Sequence, residues 1–209
     1  MRTFRHWTPR YVYDRVREMR YSAGHPDHPW LTPQANQILE TMLRPSDHGL
    51  EFGSGRSTSW LGGHSGHLTS VEHDQGWHAT VSARLKEREL HNVDYVFAPR
   101  DVPDDRGDQS EYVTVAARFA DASLDFALVD GIYRDYSALA AIPKLRSGGL
   151  LVIDNVNWFL PSRSRSPNSR TLAQGADGPI WDEVRTAMAD WRRIWTCSGV
   201  WDTALFFKP

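Results

Sequence analysis

From Gly49 onward, short apolar runs alternate with longer segments of helical period, and this alternation constrains the fold more than any other feature of the chain. The runs at residues 50–52, 68–71, 93–97, 124–129 and 150–153 are too short for helices. Their nearly continuous hydrophobicity suits strands covered on both faces, which is the mark of a parallel sheet. Between them, residues 77–88, 112–119 and 136–145 carry helical period and read as crossovers, the last stopped by Ser147-Gly148-Gly149. A helix over 180–191 then precedes two strands, 193–198 and 203–207, whose link is short enough to require an antiparallel pair. The expected architecture is an α/β sheet of seven strands, mostly parallel, closed by a C-terminal antiparallel hairpin and covered by helices on both faces.

Two helices, over residues 10–19 and 33–43, precede the sheet and are separated by a turn-rich stretch at 22–30. A chain of 209 residues suits a single domain, in which residues 1–47 would cover a pocket and 48–209 would form the core. Residues 161–178, rich in Ser, Arg, Asn and Gly, read as a long mobile loop or lid. The net charge of -2 provides no basic field, so a small-molecule substrate is expected and nucleic acid is not. No run approaches the roughly 20 apolar residues of a membrane span. The polar start, with Arg2, Arg5 and His6, lacks the apolar core of a signal peptide, so a cytoplasmic location and no membrane partner are expected. The lone Cys197 can form no internal disulfide, and self-association is left open.

The segment Leu50-Glu51-Phe52-Gly53-Ser54-Gly55-Arg56-Ser57-Thr58 places two glycines directly after a strand and small hydroxyl residues at the start of a helix, where main chain can approach a ligand closely. A dinucleotide fingerprint would need a third glycine where Thr58 stands. The same glycines would also serve a tight turn with no ligand. Glu51, before the loop, can polarise a water or accept from an ammonium group. Glu72, at the end of the second strand, stands where a carboxylate can accept both hydroxyls of a ribose. Two anions beside one ligand suit a cation such as S-adenosylmethionine, whereas Glu51 would repel a nucleotide's phosphates.

Glu51-Phe52-Gly53-Ser54-Gly55, Ser70-Val71-Glu72-His73-Asp74, and Val129-Asp130-Gly131 with Gly148-Gly149 resemble the motifs of class I S-adenosylmethionine-dependent methyltransferases, over roughly residues 49–155. The resemblance implies a Rossmann-like fold and S-adenosylmethionine as cofactor. Gly53, Ser54, Gly55, Ser57 and Thr58 would then lie along its methionine part, with Glu72 on the ribose, His73 beside the adenine and Asp130 near the amino group. The C-terminal hairpin is also a habit of that family.

Asp130 and the pair Asp154-Asn155 follow neighbouring apolar runs, which places three oxygen ligands together at the carboxyl edge of the sheet. They could hold a hard divalent cation such as Mg2+, or line the pocket without one. Asp130 with Asp154-Asn155-Val156-Asn157-Trp158 resembles the catechol and caffeoyl-coenzyme A O-methyltransferases, in which the matching residues bind metal, and Tyr136 falls where that group has a tyrosine. The lysine often taken there as general base is replaced by Tyr133. Tyr133 could serve only if its pKa were lowered, so a metal-bound route or a carboxylate base, Asp130 or Asp154, gains importance. Arg134, Trp30 and Trp158 are candidates for contact with the acceptor, and His25 and His28 could fold over the pocket. Trp77 reads as helix packing. Arg163, Arg165 and Arg170 could recognise a carboxylate or phosphate, or could simply be solvated. Together these features predict O-methylation of a small hydroxylated metabolite. Metal-free N- or O-methylation of a sugar or natural-product intermediate, or a binding module without catalysis, are the alternatives.

Overall fold

The computed structural model describes residues 7–209, so the N-terminal Arg2, Arg5 and His6 lie outside the described residues. Two helices come first, α1 (Pro9–Gly24) and α2 (Pro33–Met42). Each starts on a Thr-Pro pair, with the Thr8 and Thr32 hydroxyls accepting from the backbone N–H of Tyr11 and Ala35. A threonine cap satisfies one orphan donor, and proline at the first helical position already has the helical φ, so this dipeptide is a start signal used twice.

The strands are β1 (His48–Phe52), β2 (His67–Glu72), β3 (Val93–Phe97), β4 (Leu124–Val129), β5 (Leu145–Asp154), β6 (Arg192–Cys197) and β7 (Asp202–Phe207), arranged in the order β3-β2-β1-β4-β5-β7-β6. The first five are parallel, and β7 runs antiparallel to both its neighbours. The seven-stranded sheet with its C-terminal antiparallel strand is therefore as the apolar pattern predicts. The helices α3 (Arg56–His64), α4 (Gln75–Glu87), α5 (Glu111–Thr114), α6 (Arg134–Ala141) and α7 (Pro179–Ala187) cover its faces together with α1 and α2. Alternate residues of β4 feed two cores. Phe126 and Leu128 pack with Leu39, Trp60 and Leu205, whereas Ala127 and Val129 pack with Tyr112, Trp181 and Phe206.

Register brings the chemistry to one edge. Phe52 lies opposite Val71 and Val129, Val129 opposite Ile153, and Asp154 opposite Thr203. One residue past the first three of these positions stand Gly53, Glu72 and Asp130, next to Asp154. The strand order reverses between β1 and β4, where an open α/β sheet leaves a crevice beyond its carboxyl ends.

Three local expectations change. Ser147-Gly148-Gly149 does not stop a helix: α6 ends at Ala141, a 3-10 turn carries Pro143, and the three residues form the irregular start of β5, with Gly148 at φ +75. Residues 112–119 are the four-residue α5 and a 3-10 turn, because the β-branched run Val113-Thr114-Val115 favours helix poorly. Residues 161–178 are irregular but tied down. The Arg170 guanidinium donates to the carbonyls of Gly175, Gln174 and Ala176 at 2.8, 3.3 and 3.1 Å and pairs with Asp177 at 2.7 Å. Ser166 donates to the buried Asp202 at 2.6 Å.

Candidate active site at the carboxyl edge of the sheet

The loops after β1 and β4 touch backbone to backbone. Gly53 has φ +96, and a Cβ there would come within 2.5 Å of the Gly131 nitrogen. A Cβ on Gly131 would lie 2.9 Å from Gly53 Cα and would collide with the Tyr112 hydroxyl. Both glycines are therefore required by the close approach, whatever they do for a ligand.

Under this contact lies Glu51, fully buried. Its Oε2 accepts from the Ser70 and Thr58 hydroxyls at 2.5 and 2.7 Å, and Thr58 Oγ1 in turn accepts from the Gly55 N–H at 2.9 Å. This explains why Thr58 replaces a third glycine: its hydroxyl joins the loop to the strand carboxylate. Burial pushes the Glu51 carboxyl up to about 7, against the hydroxyls of Ser57, Ser70 and Thr58 that pull it down. Oε1 accepts no hydrogen bond of normal geometry, although the Ser57 hydroxyl also acts on the group.

Glu72, at the end of β2, is held by the loop and by the residues after it. Oε2 accepts from the Ser54 N–H and hydroxyl at 3.1 and 2.6 Å, and Oε1 from the N–H groups of His73 and Asp74 at 2.9 and 2.8 Å. Trp77 donates its indole N–H to the Ser54 carbonyl at 2.8 Å. These side chains, with Gly53 and Gly131, line a cavity of about 420 Å³. Trp77, expected only to pack its helix, is thus a wall of the site.

The second constellation is centred on Arg134, the first residue of α6. Its guanidinium donates to Asp130 Oδ1 at 2.8 Å and Asn155 Oδ1 at 3.3 Å, and to the carbonyls of Asp130, Gly131 and Asp154 at 2.8, 2.9 and 2.8 Å. Asn155, in left-handed backbone at φ 51, turns its amide oxygen to meet it. Burial raises the Asp130 carboxyl while Arg134 opposes the rise. Asp154 is 3% exposed and is pushed well above the usual carboxylate range, first by burial and then by the charge of Asp130. Thr203 donates to it at 2.6 Å.

This arrangement weighs against a metal on Asp130, Asp154 and Asn155. The Asp130 and Asn155 side chains already accept from the Arg134 guanidinium and the Asp154 carboxylate accepts from Thr203, so a dication would have to sit against a fixed positive charge. No cluster of three His, Cys, Asp or Glu suited to a metal occurs among the described residues. The donor set does not fit Mg2+.

Tyr133 is likewise not at the reacting edge. Its backbone is left-handed at φ 45, its ring is buried against Tyr112, and its hydroxyl donates to the Val102 carbonyl at 2.5 Å. Tyr136 donates to the Asp105 carbonyl at 2.9 Å. The structure thus leaves Tyr133 without the catalytic position that its place in the sequence suggests.

A second cavity, about 650 Å³, adjoins Asp130, Asp154 and Asn155 and is walled by Met19, Trp30 and Trp201. Arg15 and Arg56 enter it, the latter with its guanidinium 5.0 Å from the Trp30 ring centre. Arg56 Nη1 and Trp201 Nε1 have no hydrogen-bond partner. Trp30 is therefore placed as expected, whereas Trp158 stacks edge-on against Phe159 outside this wall. His25 and His28 cluster on Tyr21 of α1 and do not line either cavity. Sequence reasoning missed Arg56, although its position directly after the second glycine was a signal.

No protein-family model and no curated protein sequence matches the chain. Solved structures do match it. A methyltransferase-like protein from Silicibacter pomeroyi is 23% identical over 88% of this chain and 90% of its own, with a TM-score of 0.56. A caffeoyl-CoA O-methyltransferase-like protein from Staphylococcus aureus is 13% identical over 93% and 92%, with a TM-score of 0.55. SMU.1697c from Streptococcus mutans, solved in complex with SAH, is 10% identical over 84% and 96%, with a TM-score of 0.53. This chain has the methyltransferase fold. In the methyltransferase sheet of this chain, the two cavities lie at the same carboxyl edge, one beside the glycine loop and one beside Asp154.

Proposed function

We propose that the protein is a methyltransferase that binds S-adenosylmethionine in the 420 Å³ cavity and methylates a hydroxyl of a small acceptor in the 650 Å³ cavity, without a metal. The observation that carries this reading is the cavity at the carboxyl edge lined by the glycine loop and Glu72, with the buried Glu51 tied to that loop through Thr58 and one of its carboxylate oxygens accepting no hydrogen bond of normal geometry. A buried acceptor of that kind calls for a cationic or N–H-bearing ligand. When bound, the cofactor supplies a methyl carbon already activated by its sulfonium. Glu51 would take a donor of its amino-acid part, Gly53, Ser54 and Gly55 would lie along it, Glu72 would take its ribose hydroxyls, and His73 and Trp77 would flank its flat ring.

Alignment and proton handling fall to the chain. Asp154 lines the acceptor cavity, and burial raises its pKa, which makes it a stronger base than an ordinary carboxylate and suits it to take the acceptor's hydroxyl proton. Arg134 fixes Asp130 and Asn155 around it and supplies the positive charge at that edge. The experiment is methyl transfer from labelled S-adenosylmethionine to a panel of small hydroxylated compounds, in the presence and absence of a chelator. Transfer that persists with chelator supports the reading. Transfer restored only by added divalent cation would contradict its metal-free part, and a protein that binds the cofactor but methylates nothing in extract would be a binding module.

A further inference from the structure

A further cavity is not used by the mechanism above. It is a groove of about 980 Å³ between α1, α2, residues 161–165 and β6. Five arginines line it, Arg10, Arg17, Arg163, Arg165 and Arg193, against two acids, Asp14 and Glu18. A local excess of positive charge stands out on a chain whose net charge is -2.

Little of that charge is neutralised. Arg10 approaches Asp14 at 3.8 Å. Arg17 and Arg193 contact only the rings of Tyr13 and Trp195, at 5.8 and 6.0 Å. Arg163 and Arg165 make no hydrogen bond or ion pair among the described residues. The backbone carrying these two is nonetheless held. In Ser162-Arg163-Ser164-Arg165-Ser166, the Ser162 hydroxyl accepts from Ser164 N at 3.2 Å, the Ser164 hydroxyl from Ser166 N at 3.1 Å, and Ser166 is anchored on Asp202. Serines tie the segment down while the arginines alternating with them reach the groove. Arg170, in the same loop, has all three of its guanidinium nitrogens engaged. The loop thus spends one arginine on its own structure and leaves two unpaired.

Glu18 belongs to the walls of both this groove and the acceptor cavity, so a ligand reacting beside Asp154 can extend past it. A single carboxylate would occupy one guanidinium fork. Four cations without an acidic partner match a group with several negative oxygens. We propose that the acceptor carries a diphosphate ester and that this groove holds it, with Arg163 and Arg165 as its main contacts.

Calling the ligand the acceptor rests on the methyltransferase reading, but anion binding by the groove can be measured separately. Calorimetry with inorganic pyrophosphate at low salt should show binding to the full chain. It should weaken about tenfold or more in the R163Q/R165Q double variant, while affinity for S-adenosylhomocysteine stays the same. Both substitutions are on exposed side chains, so the fold is retained. Absence of binding at millimolar pyrophosphate, or equal binding by the variant, would overturn the proposal. So would tight binding of a short single-stranded RNA that pyrophosphate fails to displace. Pyrophosphate binding without S-adenosylhomocysteine binding would uphold the groove and remove the methyltransferase reading instead.

Discussion

At the scale of single residues, the site is a set of carboxylates held in unlike environments. Glu51 ionises near 4.5 in the unfolded chain and near 7 in the fold, so between those values the folded protein keeps a proton that the unfolded chain has lost. The stability this group contributes is full below the lower value and falls by about 3 kcal/mol as pH rises through the upper one. Glu51→Gln should therefore lose less stability than wild type between about pH 5 and about pH 8, as read by urea denaturation. Asp154 gives a second test. Its unprotonated form is the base, so the rate should fall on the acid side at a pH above the usual carboxylate range. Asp154→Asn should lower kcat by about 10²–10⁴-fold with cofactor binding retained. Arg134→Gln removes the charge that holds both carboxyls down, and should move the acid limb of the kcat profile to higher pH. An unmoved limb would show that Asp154 is not the group titrating. The neighbouring positions of Asp130, Asp154 and Asn155 could be read from strand ends. The return of Arg134 over them could not, because it depends on the backward lean of a first-turn helical side chain onto a strand edge that only the assembled sheet supplies.

At the scale of elements, β1, β2 and β4 follow from apolar runs buried on both faces, whereas β3 and β6, at the two edges of the sheet, are only partly buried and are legible from their short runs and tight links. The early start of β5 was hidden because Arg146, Ser147, Gly148 and Gly149 carry no apolar signal; they pair through their backbone, with Gly148 N donating to the Lys208 carbonyl at 2.8 Å. The ordering of residues 161–178 was hidden for a similar reason, since it rests on one arginine and a few serines rather than on hydrophobic burial. The glycine contact between the loops after β1 and β4 is a property of the pair. Gly131→Ala should cost about 1–3 kcal/mol through overlap with Gly53 and Tyr112. That lowers Tm by about 2–4 °C per kcal/mol in a chain of this size, and cofactor affinity should fall with it. Unchanged thermal unfolding and affinity would mean that the two loops separate freely.

At the scale of the whole molecule, no helix among the described residues is long and apolar enough to cross a membrane. The sheet sets out two cavities along one edge, and α1 forms part of the wall of the acceptor cavity and of the arginine groove beside it. The Arg134 guanidinium already engages Asp130 and Asn155, so on the proposed metal-free reading exhaustive chelation should leave turnover unchanged, and added Mg2+ should not raise it. The central claim is that a sulfonium-bearing nucleoside is bound between Glu51 and Glu72. Titration of S-adenosylmethionine and S-adenosylhomocysteine into the protein by calorimetry tests it most directly. Micromolar binding by wild type, lost by about tenfold or more in a folded Glu72→Ala variant, is the predicted result; no heat with wild type, or undiminished binding by that variant, would contradict it.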